Sequence, residues 1–268
     1  MTECIEITRF KKNELSKQED LVIIEHKVNI FVNGEHYISL MCLPKNLEEL
    51  AVGFLFSEGL ISSYAEITSI DSSDNENIKI DIIPSLPKPS LKREWLAEPG
   101  DSQIQKARTI VSGFSQGSVN PPFFNKDNLP IINSQIQIKS GEIINMATHF
   151  NGQSELFQET GAVHSCMLIS DGKEILYEDI GRHNAIDKII GKALITNTPP
   201  HNGILLTSGR ISSEMLIKTA RINIPVLIST SAPTNMAVQI ANDINMTLIG
   251  FTRTNRFNIY SGNHRVIQ

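Results

Sequence analysis

From residue 204 onward the chain alternates between two kinds of segment. Ile204–Thr207, Val226–Ser229 and Thr247–Phe251 are short, continuous apolar runs. Ser213–Arg221 and Asn235–Asp243 lie between them and carry helical periodicity. Continuous apolar strands are covered on both faces, and helices between them act as crossovers. Crossovers within one sheet are right-handed, so few folds accommodate this order. It predicts a mostly parallel sheet with helices on both faces, in a chain of α/β type, α+β overall. Upstream, Val163–Ile169 and Glu174–Ile180 flank Asp171-Gly172 as a hairpin, and Phe257–Tyr260 forms a last strand. Ile186, Ile189, Ile190, Ala193 and Leu194 follow the i, i+3, i+4, i+7, i+8 pattern of a helix. Ile143, Ala147 and Phe150 share a helical face, with Asn151-Gly152 as the expected stop.

The first half reads differently. Val28, Ile30 and Val32 alternate before Asn33-Gly34, and Ile38, Leu40 and Cys42 alternate after it. Asn-Gly between alternating runs is a two-residue hairpin signal, because both positions accept positive φ. A helix follows, with Asn46 as N-cap, Glu49 completing a capping box, and Leu47, Leu50, Phe54 and Leu55 as its stripe. Gly59 is its left-handed end. Ile78, Ile80 and Ile82 make another strand. Between Pro84 and Pro130 the chain is rich in proline, holds Trp95 and contains the Gly113–Gly117 loop. This break divides the chain into an N-terminal strand and helix subdomain (1–110), a mobile Gly/Pro-rich loop (111–133) and an α/β domain (134–268).

Composition excludes several classes. With 24 Lys+Arg against 29 Asp+Glu the net charge is −5. That balance argues against a generic nucleic-acid or membrane-surface binder, which is usually basic. The three cysteines, Cys4, Cys42 and Cys166, are far apart, which excludes a disulfide scaffold and a CxxC site. No run approaches the roughly 18 apolar residues of a membrane span. The opening MTECIEITRFKKNE lacks the apolar core of a secretory signal. A cytoplasmic, reducing setting is expected.

In such sheets ligands bind beyond the carboxyl ends of the strands. Three loops there have suitable chemistry. Thr207–Glu214 offers Ser208, Gly209, Arg210, Ser212 and Ser213 at a helix start. Ser229–Thr234 repeats the arrangement with Ser231 and Thr234. Phe251, Thr252, Arg253, Thr254, Asn255 and Arg256 leave the last crossover strand with two guanidinium groups. Free helix N–H groups, glycine and arginine suit a phosphate. The plain alternative is a set of N-caps and turns.

Gly181-Arg182-His183-Asn184 opens another helix, and His183 is either an acid–base or anion-contacting group or part of a capping turn. His164 and Cys166 lie two apart, on one face if the segment is a strand. They are either a base and nucleophile pair or a buried cysteine beside a hydrogen-bonded histidine. The seven histidines form no HxxxH or HExxH, so no metal site is assembled. The H-x-E and P-C-x-x-C signature of zinc deaminases is missing as well.

Five stretches together resemble the formate dehydrogenase accessory protein family, FdhD, over roughly residues 20 to 266. They are Leu50–Leu55 with Glu58–Ile61, Thr160–His164, Glu178–Lys188, Ser208–Met215 and Ser231–Thr234. The resemblance implies a dimeric sulfurtransferase with a cytidine-deaminase-like fold, a mixed sheet with helices on both faces beside a smaller N-terminal α+β subdomain, and no zinc. Such a protein takes sulfur from a cysteine desulfurase. It passes the sulfur to the molybdenum or tungsten bis-molybdopterin guanine dinucleotide cofactor, which is then inserted into formate dehydrogenase. It also implies that the guanine nucleotide ends bind at the α/β half, with Phe251–Arg256 as a contacting stretch.

In that family the sulfur rides as a persulfide on a cysteine in a Gly-rich loop. The matching loop here, Thr109–Ser118, has Phe114 at that position, and neither Ser112 nor Ser115 can replace a thiolate. One reading is a sulfurtransferase using another thiol, with Cys166 beside His164 ahead of Cys42 and Cys4. A second is a non-catalytic, cofactor-binding chaperone. A third, weaker reading is a guanine-nucleotide hydrolase using His183 and Asp187.

Overall fold

The computed structural model describes residues 1–83, 109–110, 129–198 and 200–268. The Gly113–Gly117 loop and Phe114 lie outside the described residues. The protein opens with a long hairpin, β1 (Thr2–Lys11) and β2 (Glu14–Ile23), paired end to end. No sequence signal had marked it, since its side chains alternate without a clean apolar face.

The next unit is a five-stranded sheet in the order β5-β6-β3-β4-β7. It contains β3 (His26–Val32), β4 (Glu35–Cys42), β5 (Ile67–Asp74), β6 (Asn77–Ile82) and β7 (Thr109–Ile110). Asn33 and Gly34 both take positive φ, at 50° and 79°, as the hairpin signal requires. Helix α1 (Leu47–Ser57) follows. It is buried over most of its surface, from Leu47 through Ser57, so it is a core helix and not an amphipathic one.

Asn46 does not cap α1 through its side chain. It sits at φ 58°, and no cap hydrogen bond forms. Glu49 does not close a capping box: it accepts from the Tyr177 hydroxyl at 3.0 Å and lies 3.5 Å from Lys192 Nζ. Gly59 takes the left-handed conformation expected after the helix, at φ 74°.

The second sheet has six strands in the order β10-β9-β11-β12-β13-β14. These are β9 (His164–Ser170), β10 (Lys173–Asp179), β11 (Ile204–Thr207), β12 (Val226–Ser229), β13 (Thr247–Arg253) and β14 (Arg256–Ser261). The sheet is mixed, as the family resemblance implies, and less parallel than the strand and helix alternation alone suggests. Only β11–β12 and β12–β13 pair in parallel, and the other three pairings are antiparallel. The reason is connectivity: β9–β10 and β13–β14 are joined by short turns, and parallel neighbours need a long crossover.

Alternate residues of the central strands feed two cores. Leu205, Leu227 and Leu248 point to the core formed with α1, α4 (Arg182–Ile195), α5 (Ser213–Arg221) and α6 (Asn235–Asp243). Leu206, Val226, Ile228 and Ile249 point to the opposite core, under α2 (Ser140–Gln153). Ile143, Ala147 and Phe150 form that helix's buried face, as their spacing predicts. Asn151-Gly152 does not end α2, which runs to Gln153 and breaks at Ser154 before α3 (Glu155–Thr160). A short parallel pair, β8 (Ile138–Lys139) with β15 (Val266–Ile267), borders this core.

The two halves meet where α1 crosses α4. A Cβ on Gly53 would lie 1.8 Å from the Asp187 carbonyl oxygen, and one on Gly191 would lie 1.9 Å from that of Glu49. Glycine at both positions lets the helix backbones touch. Val28, Ile30, Ile38 and Leu40 of the first sheet then share one continuous core with the second.

Candidate functional site

Because β11, β12 and β13 are parallel, their carboxyl ends emerge at one edge. β9 runs antiparallel, with Cys166 opposite Thr207, so its beginning emerges there too. Asp179 stands opposite His164, which brings the end of β10 and the start of α4 to the same place. The loops predicted from sequence are therefore neighbours. They are also stitched together. Ser208 N–H donates to Ser165 O at 3.0 Å, and Thr230 N–H to Thr207 O at 3.2 Å. Ile211 N–H donates to Ala232 O, and Phe251 N–H to Ser231 O, each at 3.0 Å. Ser229 Oγ donates to Gly209 O at 2.8 Å. Phe251 takes φ 52°, a left-handed conformation beside the irregular register of β13 and β14.

Positive groups concentrate on this edge. The stem of Arg182 lies over Gly209, where an added Cβ would meet it at 3.0 Å. Burial and the nearby Arg210 guanidinium both depress the Arg182 pKa, against a smaller opposing pull from Glu214. Arg182 Nε is buried and has no hydrogen-bond partner among the described residues. His164 Nδ1 lies 3.4 Å from Ser208 Oγ, and that oxygen also accepts the Ser165 N–H at 3.0 Å. Burial, then Arg182, His183 and Arg210, push the His164 pKa below its usual value. His183 Nε2 lies 3.2 Å from Glu214 Oε2. Burial lowers the His183 pKa despite that carboxylate, and His183 in turn holds Glu214 low. Both imidazoles are thus biased toward the neutral form, beside the guanidinium of Arg182.

The other expected residues divide. Arg253 donates through Nη1 to Thr230 O at 2.5 Å and to Thr252 O at 2.9 Å. It stands opposite Arg256 across the turn at Thr254-Asn255. Thr252 is fully buried, and its hydroxyl has no partner among the described residues. Ser212 and Thr234 are side-chain N-caps of α5 and α6, accepting from Met215 N–H and Ala237 N–H. Ser213 and Ser231 line the same loops. Asn184 turns away: its amide donates to Met41 O at 2.8 Å and Asp179 Oδ1 at 2.9 Å. Gly181 N–H is likewise taken by Asp179, at 3.0 Å.

Sequence reasoning missed a buried ionic network behind this edge. Lys188 Nζ lies 2.6 Å from Asp179 Oδ2, and Lys218 Nζ lies 2.5 Å from Asp187 Oδ2. Asp187 also accepts from Ser57 Oγ at 2.6 Å, and Asp179 from Leu43 N–H at 3.2 Å. Both aspartates are almost fully buried. Asp187 is therefore a strut between α1, α4 and α5, with no access to a water to activate. Glu214 was also missed as a site member, although an acid in the first turn after Arg210 was its signal.

Cys166 and His164 share a face of β9, but they do not form a nucleophile and base pair. Cys166 is completely buried, and its Sγ donates to Thr207 Oγ1 at 3.4 Å. Burial pushes its thiol up to about 12. Cys42 is buried too and is pushed up to about 12, by burial and then by Asp179. Cys4 is exposed on β1, and its pKa is raised by desolvation and then by Glu19. No group of three or more His, Cys, Asp and Glu among the described residues is placed to hold a metal.

Fold and site together define an α+β protein built on two large sheets, with arginines gathered at the ends of the parallel strands of the larger one. The FdhD/NarQ family model matches residues 23–267, and the chain belongs to that family. It is 36% identical over 263 residues to a protein of Staphylococcus haemolyticus (strain JCSC1435) named sulfur carrier protein FdhD. The match covers 97% of this chain and 95% of that one. A protein of the same name from Staphylococcus aureus (strain Newman) is 37% identical over 267 residues, with the same coverage. Among solved structures, one described as a formate dehydrogenase accessory protein from Desulfotalea psychrophila superposes with a TM-score of 0.78. It is 25% identical, with 99% of each chain covered.

Proposed function

We propose that this protein serves the maturation of formate dehydrogenase by holding the guanine-nucleotide end of a molybdenum or tungsten bis-molybdopterin guanine dinucleotide cofactor, its cargo. The strand-end loops are the holding site. The observation that carries this reading is Arg182, which has a buried Nε without a partner, beside Arg210 and at the start of α4. An anion there gains charge-assisted hydrogen bonds and the helix terminus together. Arg253 and Arg256 extend the same positive rim toward a second phosphate.

The names of the relatives support a place in sulfur delivery; in this reading a cysteine desulfurase is the donor and the formate dehydrogenase catalytic subunit the recipient, in the cytoplasm. A homodimer follows from the family resemblance. The burial of Cys42 and Cys166 favours a second reading of the sulfur step, in which this chain presents the cofactor without carrying a persulfide itself. A persulfide forms on an accessible thiolate, and these two thiols are neither accessible nor ionised. Asp187, locked to Lys218 and Ser57, weighs against the hydrolase reading.

Intact-mass measurement after incubation with a cysteine desulfurase and free cysteine separates the readings. The presenting role predicts no added sulfur on Cys4, Cys42 or Cys166. A stable gain of one sulfur mapped to any of the three would overturn it.

A further inference from the structure

His164 occupies an unusual position for a histidine. It starts β9 at the edge where the strand-end loops meet, with its ring against the Ser208 hydroxyl at 3.4 Å. The charged groups that face it come from three directions. Asp179 pairs opposite His164 at the end of β10, Arg182 and His183 follow in the first turn of α4, and the Arg182 stem lies over Gly209, between Ser208 and Arg210 in the loop after β11. Asp179 already neutralises Lys188, at 2.6 Å, so it offers His164 little compensation. Glu214 is engaged by His183, at 3.2 Å. A protonated imidazole at this position would thus be a third cation beside two arginines, with no free carboxylate to balance it.

That balance reverses when an anion enters. A doubly charged phosphate-like group at Arg182 and Arg210 lies within the same cluster and favours the imidazolium. We propose that His164 sets the charge class of the ligand: the site takes a dianionic oxyanion together with one proton. The proton comes from solvent and adds to the imidazole, and no other bond forms or breaks. A single negative charge provides less field to stabilise that proton, whereas the pyrophosphate bridge of the cofactor's dinucleotide brings two charges on adjacent phosphates and meets the requirement. The histidine stays neutral in the empty site because burial and its cationic neighbours hold its pKa below the usual value. By linkage, any ligand that raises that pKa binds more tightly as pH falls.

This inference rests on the anion-site reading above. Sulfate is a suitable probe because it remains a dianion from pH 5.5 to 8.5, so any pH dependence belongs to the protein. The measurement is calorimetric titration with sulfate at several pH values, each in two buffers of different ionisation heat. The expected result is an affinity about three- to tenfold higher at pH 5.5 than at 8.5, with net proton uptake. In His164→Gln the pH dependence falls below about twofold and the uptake disappears, while His183→Gln keeps both. Sulfate binding that is lost in Arg182→Ala but carries no proton uptake in the native chain overturns the proposal and leaves the anion site standing. Uptake that survives in His164→Gln and vanishes in His183→Gln overturns it as well. No sulfate binding at any pH overturns the proposal and the anion-site reading together.

Discussion

At the scale of single residues, most of the polar stretch around the start of α4 is structural, and Arg182 and His183 are its members at the strand-end edge. Within Glu178–Lys188, Asp179, Asn184, Asp187 and Lys188 are buried and bonded to one another, to Leu43, Met41 and Ser57, or to Lys218. Arg182 Nε is buried with no hydrogen-bond partner among the described residues, and His183 Nε2 has only the Glu214 carboxylate near it, at 3.2 Å. A sequence shows polarity but not depth, so Asp187 and Arg182 looked alike before the fold separated them. Breaking a buried pair from one side leaves an uncompensated charge, which typically costs about 3–5 kcal/mol. Lys218→Met should therefore lose about that much in urea unfolding. The double variant Lys218→Met/Asp187→Leu should recover much of the loss, because it removes both charges. A single variant as stable as the native chain would show that the pair does not hold α4 to α5.

At the scale of elements, strands and crossovers were legible and helix ends were not. The runs Ile204–Thr207 and Val226–Ser229 are strands with the bounds their composition implies, since apolar continuity and double coverage are the same fact. Asn46 takes a left-handed conformation in place of the extended one a side-chain cap needs, and Glu49 is drawn off to Tyr177 and Lys192. The first hairpin was invisible because its residues are mostly exposed on both faces. The crossing of α1 and α4 was equally hidden, since nothing local shows that Gly53 and Gly191 meet foreign backbone. Gly53→Ala should be destabilised by at least about 1–3 kcal/mol through overpacking. Gly141→Ala has open space around its Cβ and sits in a helix. It should be neutral or more stable by about 0.5–1 kcal/mol. Thermal melts of the two variants check this, and equal shifts would refute the close crossing.

At the scale of the whole molecule, the fold gathers charge that the composition conceals. The chain is acidic, at −5, yet Arg182, Arg210, Arg253 and Arg256 reach one edge because three parallel strands end there. The position of that edge was readable from the alternation alone. The burial of Cys166 was suggested by its apolar neighbours and became definite only with the packing of Thr207. Electrostatics at this edge also gives stability a pH sign. His164 and His183 have folded-state pKa values below the usual 6.5. As pH falls below that value the unfolded chain takes up their protons first, so stability declines. Glu214, held below its usual 4.5, adds stability above that value and loses it on further acidification. The urea midpoint should thus fall between pH 7.5 and 5, and His183→Gln should flatten the fall. A midpoint constant over that range would contradict the burial of these groups.

The central claim is that the strand-end arginines receive a nucleotide phosphate, and the most direct measurement of it is binding of guanosine diphosphate to the native chain and its variants. Arg182→Ala, Arg253→Ala and Arg256→Ala should each lose about 1.5–3 kcal/mol, roughly ten- to a hundredfold in Kd. Unchanged affinity in all three would contradict the placement of the site.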